Sequence, residues 1–400
     1  MRVLFLTLAY PEGENSRNLY VDLMQEFYAR GNEVYVICQR EKRYEKETEL
    51  NEESGIQVLR VRTGNVTKTG FIEKGISTLL IEKQFKKAIK KYLKHIKFDL
   101  VIYSTPPITF VKTVEYIKKR DKSKTYLLLK DIFPQNAVDL GIIKEKSLIG
   151  RYFRAKEKKM YGISDHIGCM SKANVDYVIR HNPEVNTAKI EICPNSINPL
   201  ALSVISPLKK SELREKFNIP DKSVLYVYGG NLGKPQGIDF LIEVLKLIKE
   251  MKNIFLLIVG SGTEFDKINK YLLESKQTNV RLEKYMLKNE FDEILTIADV
   301  GLVFLDSRFT IPNFPSRMNS YMEFALPILA ATDVNTDINK MFQDANCGLW
   351  SQSGDLKGFE KNLAVLNENE KLRTDMGMNG RLYLEANFTV DKSYNIIVSH

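Results

Sequence analysis

Between Tyr228 and Gly237 the chain reads YGGNLGKPQG, a glycine-rich stretch with one lysine and one proline. An apolar run, SVLYVY, comes before it and an amphipathic run, IDFLIEVLKLIKE, comes after. A strand that ends in a glycine turn ahead of a helix is suited to bind an anion. Glycine lets the backbone come close, the first helical N–H groups lack partners, and the helix dipole favours negative charge. The Lys234 ammonium adds a point charge suited to phosphate. The stretch matches neither GxGxxG nor GxxxxGK[ST]. On its own it reads equally well as a tight turn with an exposed lysine. A second stretch, NFPSRMNSYMEFALPILAAT (313–332), adds Ser316 as a helix cap and Arg317 in the first turn, aimed at the same strand-end crevice. The helix dipole disfavours a cation there, and a bound phosphate would offset that. A lone arginine is otherwise an ordinary surface residue.

Other chemistries find little support. The histidines His95, His166, His181 and His400 are scattered, and Cys38, Cys169, Cys193 and Cys347 form no CxxC pair. No metal site is expected, and the cysteines read as reduced thiols of a cytosolic protein. There is no Ser-His-Asp or Cys-His arrangement. Nucleic acid is not expected as a partner, because no RNP, KH or zinc pattern occurs and the lysines lack interleaved aromatics.

The positioning elements are alternating apolar runs and helical patterns. Runs at 3–10, 33–39, 56–62, 99–105, 125–133 and 165–171 read as strands, and a second set falls at 223–230, 254–260, 280–285, 299–306 and 327–332. Near-continuous apolar strands separated by helices predict parallel sheets covered on both faces. The first run, VLFLTLAY, leads into Pro11 and Gly13 without a small-residue cleavage site, so it reads as a buried strand rather than a signal peptide. No run reaches the roughly 18 apolar residues of a membrane span. A proline-bearing stretch around 194–207 reads as a linker. The fold class is therefore α/β, with two doubly wound Rossmann-like domains: 1–198 and 208–385. Ligands of such sheets bind beyond the carboxyl ends of the strands, and the cleft between two domains is the natural site.

The 400 residues carry a net charge of +9, unevenly placed. Residues 1–200 hold 35 Lys+Arg against 24 Asp+Glu, or +11, and the rest come to −2. That asymmetry suggests an anionic partner for the first domain. Residues 81–98, IEKQFKKAIKKYLKHIKF, predict a helix with an apolar stripe (Phe85, Ala88, Ile89, Tyr92, Leu93, Ile96) and a lysine face. The lysines read either as a solvated face or as a surface for anionic lipid, at about 1 kcal/mol per basic residue. Apolar residues in 70–83 favour a membrane-facing surface.

The chain resembles glycosyltransferases of family 4, with the two-domain GT-B fold, over nearly its whole length. The motifs that carry this, in order, include TPPITF (105–110), LKDIFPQNAVDLGII (129–143), CPNSIN (193–198), YGGNLGKPQGIDFLI (228–242), IVGSGTEFDKI (258–268), FPSRMNSYMEFALPILA (314–330) and CGLWSQSGD (347–355). The nearest group is the bacterial enzymes that add amino sugars or related sugars to lipid-linked oligosaccharides. The resemblance implies that the two domains face each other across a cleft, with a C-terminal helix (386–400) returning to the first domain. The second domain would hold a nucleotide-sugar, UDP-linked by analogy. Lys234 and Arg317 would clamp its diphosphate. Gly230, Asn231, Gly233, Gly260, Gly262, Ser316 and Ser320 would line its site. No metal or other cofactor is implied. The partners implied are a polyprenyl-diphosphate-linked acceptor and an anionic membrane surface, met by the first domain. The location would be cytoplasmic, at the inner face of the membrane, with a role in capsule or O-antigen assembly.

The sequence also departs from the family pattern. Two glutamates with seven residues between them are replaced by Pro312 and Ser320, and Glu323 is the candidate substitute for holding the ribose. The first glycine loop is reduced to PEGENSRN. The subgroup's Arg-Asp pair appears as Lys130-Asp131, and Asp131 reads either as a contact to acceptor or sugar or as a cap before Pro134. These losses leave a second reading open: a non-catalytic GT-B-like scaffold of a partner transferase.

Overall fold

The computed structural model describes residues 1–13, 17–67, 69–202, 205–251 and 253–400, without the side chains of 71, 72 and 74. The chain divides into one unit of Met1–Asn198 with Phe388–His400 and another of Pro199–Asn387.

The first unit opens with β1 (Arg2–Leu6), α1 (Leu19–Ala29), β2 (Glu33–Glu41), β3 (Glu49–Glu53), β4 (Ile56–Thr63) and α2 (Phe71–Tyr92). It continues with β5 (Leu100–Ser104), α3 (Val111–Asp121), β6 (Lys124–Leu129), α4 (Gln135–Asp139), α5 (Leu148–Ile163), β7 (His166–Cys169), α6 (Lys172–His181) and β8 (Ile190–Ile192). The sheet order is β3-β4-β2-β1-β5-β6-β7-β8, parallel except for β3 on β4. Val3–Leu6 of β1 and Val101–Ser104 of β5 are fully buried, as strands covered on both faces must be. Strand order reverses between β1 and β5, so the crevice beyond their carboxyl ends is the expected ligand position.

The second unit comprises α7 (Pro207–Lys216), β9 (Val224–Gly229), α8 (Ile238–Ile248), β10 (Ile254–Val259), α9 (Phe265–Ser275), β11 (Val280–Glu283), α10 (Lys288–Ile297) and β12 (Val300–Phe304). It closes with α11 (Arg317–Glu323), β13 (Ile328–Thr332), α12 (Ile338–Ala345), β14 (Gly348–Gln352), α13 (Leu356–Glu368) and α14 (Glu370–Asn387). Its sheet, β11-β10-β9-β12-β13-β14, is wholly parallel and reverses between β9 and β12. Its core gathers Tyr226, Tyr228, Leu241, Leu245, Ile258, Phe304 and Phe359.

The chain then returns as α15 (Val390–Val398) to the first unit. Val390 and Ile397 join Val3, Phe5, Phe27, Val36 and Ile102 in one apolar cluster, with the Tyr394 ring edge-on to Phe27. On the other face of the sheet, Tyr103 reaches Ser164 beyond α5, and the Lys156–Glu82 ion pair joins α5 to α2 at 3.0 Å.

The expected lysine helix differs in extent. It begins at Phe71 and stops at Tyr92, so Lys94 and Lys97 lie beyond it. The chain must turn there into β5, and Asp99 is already tied to the sheet through the Arg2 N–H at 2.7 Å. Three strands are additional to the expected set. β3 reads ELNEE without apolar alternation, β8 has only three residues, and both β8 and β14 lie at sheet edges.

Candidate functional site

In the second unit the glycine turn follows β9 directly. Gly230 has φ +134° and Gly237, just before α8, has φ +56°, conformations that favour glycine. Lys234–Gln236 forms a single 3-10 turn between them. Lys234 is exposed, and its ammonium has no partner among the described residues. Asn231 is exposed too, and its carbonyl accepts from the Tyr228 hydroxyl at 2.7 Å.

Arg317 lies against this turn. Its guanidinium sits over the Tyr228 ring at 4.4 Å, and Nη2 donates to Gln236 Oε1 at 2.7 Å. A β-carbon at Gly230 would come within 3.1 Å of Nη2. Nη1 is buried and has no partner among the described residues. A buried charged donor left unsatisfied costs more than about 1–3 kcal/mol, and a ligand anion would relieve it. The structure thus brings the two sequence-predicted cations to one strand-end crevice.

Tyr321, which sequence reasoning did not single out, sets the position of Arg317. Strands β9 and β12 pair only through Tyr226–Val300 and Val227–Gly301. Tyr321 fills the splay beyond: its hydroxyl accepts from Gly229 N at 3.1 Å and lies 3.2 Å from the carbonyls of Val227 and Leu302. Gly301 makes room, since a β-carbon there would lie 2.4 Å from Tyr321 Cγ. Tyr321 and Arg317 are four apart on α11 and share a face. The spacing was visible in the sequence, but the strand splay that gives it meaning was not.

Several expected roles change. Ser316 does not cap α11: its backbone is already helical (φ −63°, ψ −19°), and no side-chain bond to the helix forms. Capping needs an extended residue at that position. Gly260 and Gly262 are approached by the chain itself. A β-carbon at Gly260 would lie 1.8 Å from Gly230 O, and one at Gly262 would lie 2.3 Å from Leu232 O. Leu232 N donates to Ser261 O at 3.0 Å, so the two glycine loops interlock. Gly233 differs: its backbone is extended, and a β-carbon there would meet the Asn231 side-chain amide, at 2.9 Å. Ser320 is half-buried on α11, and Pro312 lies in the loop before it. Glu323 is buried, and its Oε1 accepts from Leu200 N at 2.8 Å. Arg381 donates to the carbonyls of Glu323 and Leu200 at 2.7 and 2.8 Å. Glu323 therefore fastens the start of this unit to α11.

In the first unit, Asp131 lies just past β6, partly buried. Asn136 Nδ2 donates to both carboxylate oxygens at 2.8 and 2.7 Å. Asp131 makes no cap to α4, whose cap position is Pro134. Burial pushes its pKa up to about 6, against the hydrogen bonds from Asn136 and Ile132 N. Thr105 Oγ1 accepts from the backbone N–H groups of Lys130 and Asp131 at 3.0 and 3.1 Å, which fixes this corner at the ends of β5 and β6. Lys130 donates to the carbonyls of Cys193 and Pro194, both at 3.1 Å, a structural task. Of the reduced loop PEGENSRN, residues 14–16 lie outside the described residues.

Two of the histidines that look scattered in the sequence meet. His166 and His400 stack at 3.6 Å, and Glu191 lies 2.8 Å from His400 Nε2. Side chains far apart in the sequence come together because a parallel sheet sets β7 beside β8 and α15 carries His400 back to both.

Comparison with known proteins follows the same division. Residues 18–199 match the model described as Glycosyltransferase Family 4, and residues 209–383 match Glycosyl transferases group 1. A curated relative from Pseudomonas aeruginosa, "Probable glycosyltransferase WbjE", is 25% identical over 252 residues, 62% of this chain and 61% of that protein. Among solved structures, WaaG, a glycosyltransferase involved in lipopolysaccharide biosynthesis, is similar at a TM-score of 0.68 and 16% identity, covering 100% of both chains. Anabaena HepE in complex with UDP-glucose is similar at 0.70 and 13% identity, over 99% of this chain and 98% of that one. With one family model matched in each unit and the fold shared along its whole length, the chain belongs to the glycosyltransferases of GT-B fold.

Proposed function

We propose that the chain transfers a sugar from a nucleotide-sugar, UDP-linked, to a lipid-linked glycan in bacterial surface-polysaccharide synthesis, with retention at the anomeric carbon. The observation that carries the donor half is the buried Arg317 Nη1, without a partner among the described residues, and the exposed Lys234 of the same glycine turn. In this reading the two cations hold the diphosphate and stabilise the charge that grows on the leaving nucleotide. They do at this site what a metal ion does in other transferases. Front-face displacement lets the leaving phosphate oxygen take the acceptor proton as the new glycosidic bond forms. The protein then supplies position and charge rather than a nucleophile. Asp131 would contact the acceptor hydroxyl or the transferred sugar. HepE with UDP-glucose supports the choice of base, and WaaG supports the polysaccharide setting.

The acceptor half rests on exposed apolar side chains beside basic ones. Ile76, Leu79 and Leu80 of α2 are exposed, as are Leu148, Ile149 and Tyr152 of α5. Both helices lie on the sheet face away from α1 and α15, and α2 also carries Lys83, Lys86, Lys87, Lys90 and Lys91. Such a surface suits an anionic bilayer that carries the acceptor, at its cytoplasmic side. The sequence expectation at 71, 72 and 74 lies outside the described side chains.

Calorimetry and thermal shift with UDP, GDP, ADP and dTDP test the donor half. One nucleotide, UDP, should bind, adding about 2.7 kcal/mol at 100 times Kd, and Lys234→Ala/Arg317→Ala should lose it. No binding by any nucleotide would refute the donor site and point to a scaffold for a partner transferase. Co-sedimentation with anionic vesicles, weakening with salt, tests the acceptor surface; equal binding to neutral vesicles would refute it.

A further inference from the structure

We infer that His166, Glu191 and His400 form a site for one divalent transition-metal ion, of the zinc type, that ties the end of α15 to β7 and β8. The three side chains offer ligand atoms that all lie within 4.8 Å of one another. Tetrahedral zinc with bonds of about 2.0–2.1 Å sets its ligand atoms roughly 3.3 Å apart. His400 Nε2 and Glu191 Oε1 are already 2.8 Å apart. Binding would require the exposed His400 ring to turn out of its stack on His166. Two imidazoles and one carboxylate are a borderline-soft donor set that suits zinc and its neighbours rather than magnesium or calcium.

The surroundings are those of a held ligand set. Tyr126 is buried, and its hydroxyl donates at 2.7 Å to Glu191 Oε1, the oxygen that also faces His400, which holds the carboxylate in place. Gly168 makes this contact possible, because a β-carbon there would lie 2.7 Å from the Tyr126 hydroxyl oxygen. The Tyr126 ring is near-parallel to both imidazoles at 6.4 and 6.3 Å. A pocket of about 400 Å³, lined by Asp99, Lys124, Tyr126, His166 and His400, opens the cluster to solvent and gives an ion its entry. The cluster lies near the amino-terminal end of β7. Tyr126, at its level on β6, is five residues before Asp131, roughly 16 Å along an extended strand. The site is therefore separate from the carboxyl-end corner of this sheet. The ion would be structural, securing a helix that reaches the sheet only after the whole second unit.

The test is titration of the full chain, free of any histidine tag, with Zn2+ and with Co2+ as a spectroscopic probe. The wild type should bind one ion per chain, with the absorption of tetrahedral Co2+, and its melting temperature should rise with Zn2+. Loss of an outer partner alone costs about 10–100-fold in affinity. His166→Ala, Glu191→Gln and His400→Ala should each bind at least about 100-fold more weakly, and Tyr126→Phe about 10–100-fold. His400→Ala changes an exposed residue beyond the last helix, so the fold is expected to survive, and circular dichroism checks it. His95→Ala/His181→Ala should bind as wild type does. A wild type that binds no ion, or a His400→Ala chain that binds as tightly as wild type, overturns the assignment.

Discussion

Replacing Asp131 by asparagine removes one charge from the carboxyl-end corner of the first sheet and leaves its shape. The carboxyl group is held up at about 6 by burial, whereas a free aspartate titrates near about 3.9. A raised native pKa means that the folded state binds the proton more tightly than the unfolded chain does. The protonated group therefore favours folding below about pH 4, and that advantage is lost as the pH climbs through about 6. Two units at about 1.36 kcal/mol each give about 3 kcal/mol of strain carried by the ionised form above pH 7. Asparagine is neutral at every pH and does not carry it. One amide donor would, however, face the Asn136 donor, taking back about 1 kcal/mol. Asp131→Asn should thus be more stable than wild type by about 2 kcal/mol at pH 8. That gain should vanish and turn into a loss of about 1 kcal/mol near pH 4. Urea unfolding at pH 4, 6 and 8 reads this directly. Sugar transfer should fall in the same variant, so stability and activity move in opposite directions. A stability difference that stays constant with pH, or a wild type that is the more stable at pH 8, would refute the burial argument.

Gly260→Ala would drive a β-carbon into the Gly230 carbonyl, and overpacking of backbone against backbone costs about 1–3 kcal/mol. The variant should melt lower and bind UDP more weakly; an unchanged melting temperature would show that the two glycine loops are not interlocked. Glu323→Ala strips Leu200 N of its acceptor, at about 1–3 kcal/mol. Nucleotide affinity should hold in that variant; a large loss of affinity at unchanged stability would return the carboxylate to the ribose.

The two sheets were legible because parallel strands buried on both faces advertise themselves. IFLLIV and LVIYS have no polar residue facing water. β3 was hidden because an antiparallel edge strand can be ELNEE: Glu53 works there by pairing with the buried Arg60, at 2.7 Å, rather than by burying apolar area. At the candidate site, the residue types at Lys234 and Arg317 were readable from spacing. The tasks of Gly260, Ser316 and Glu323 were not, since each depends on which segment lies opposite. The same holds for His166 and His400, which are 234 positions apart and neighbours only through the return of α15.

That return also bears on how the protein is made. A ribosome synthesises the described strands of the first unit before it begins the second, but α15 comes only after Asn387. At about 5–20 residues per second, the intervening stretch takes on the order of 10–40 s to synthesise. Throughout that interval the apolar surface that will later receive Val390, Tyr394 and Ile397 is open on the nascent chain. Chaperone occupancy during translation should therefore last until the final helix emerges, well after the first sheet can pair.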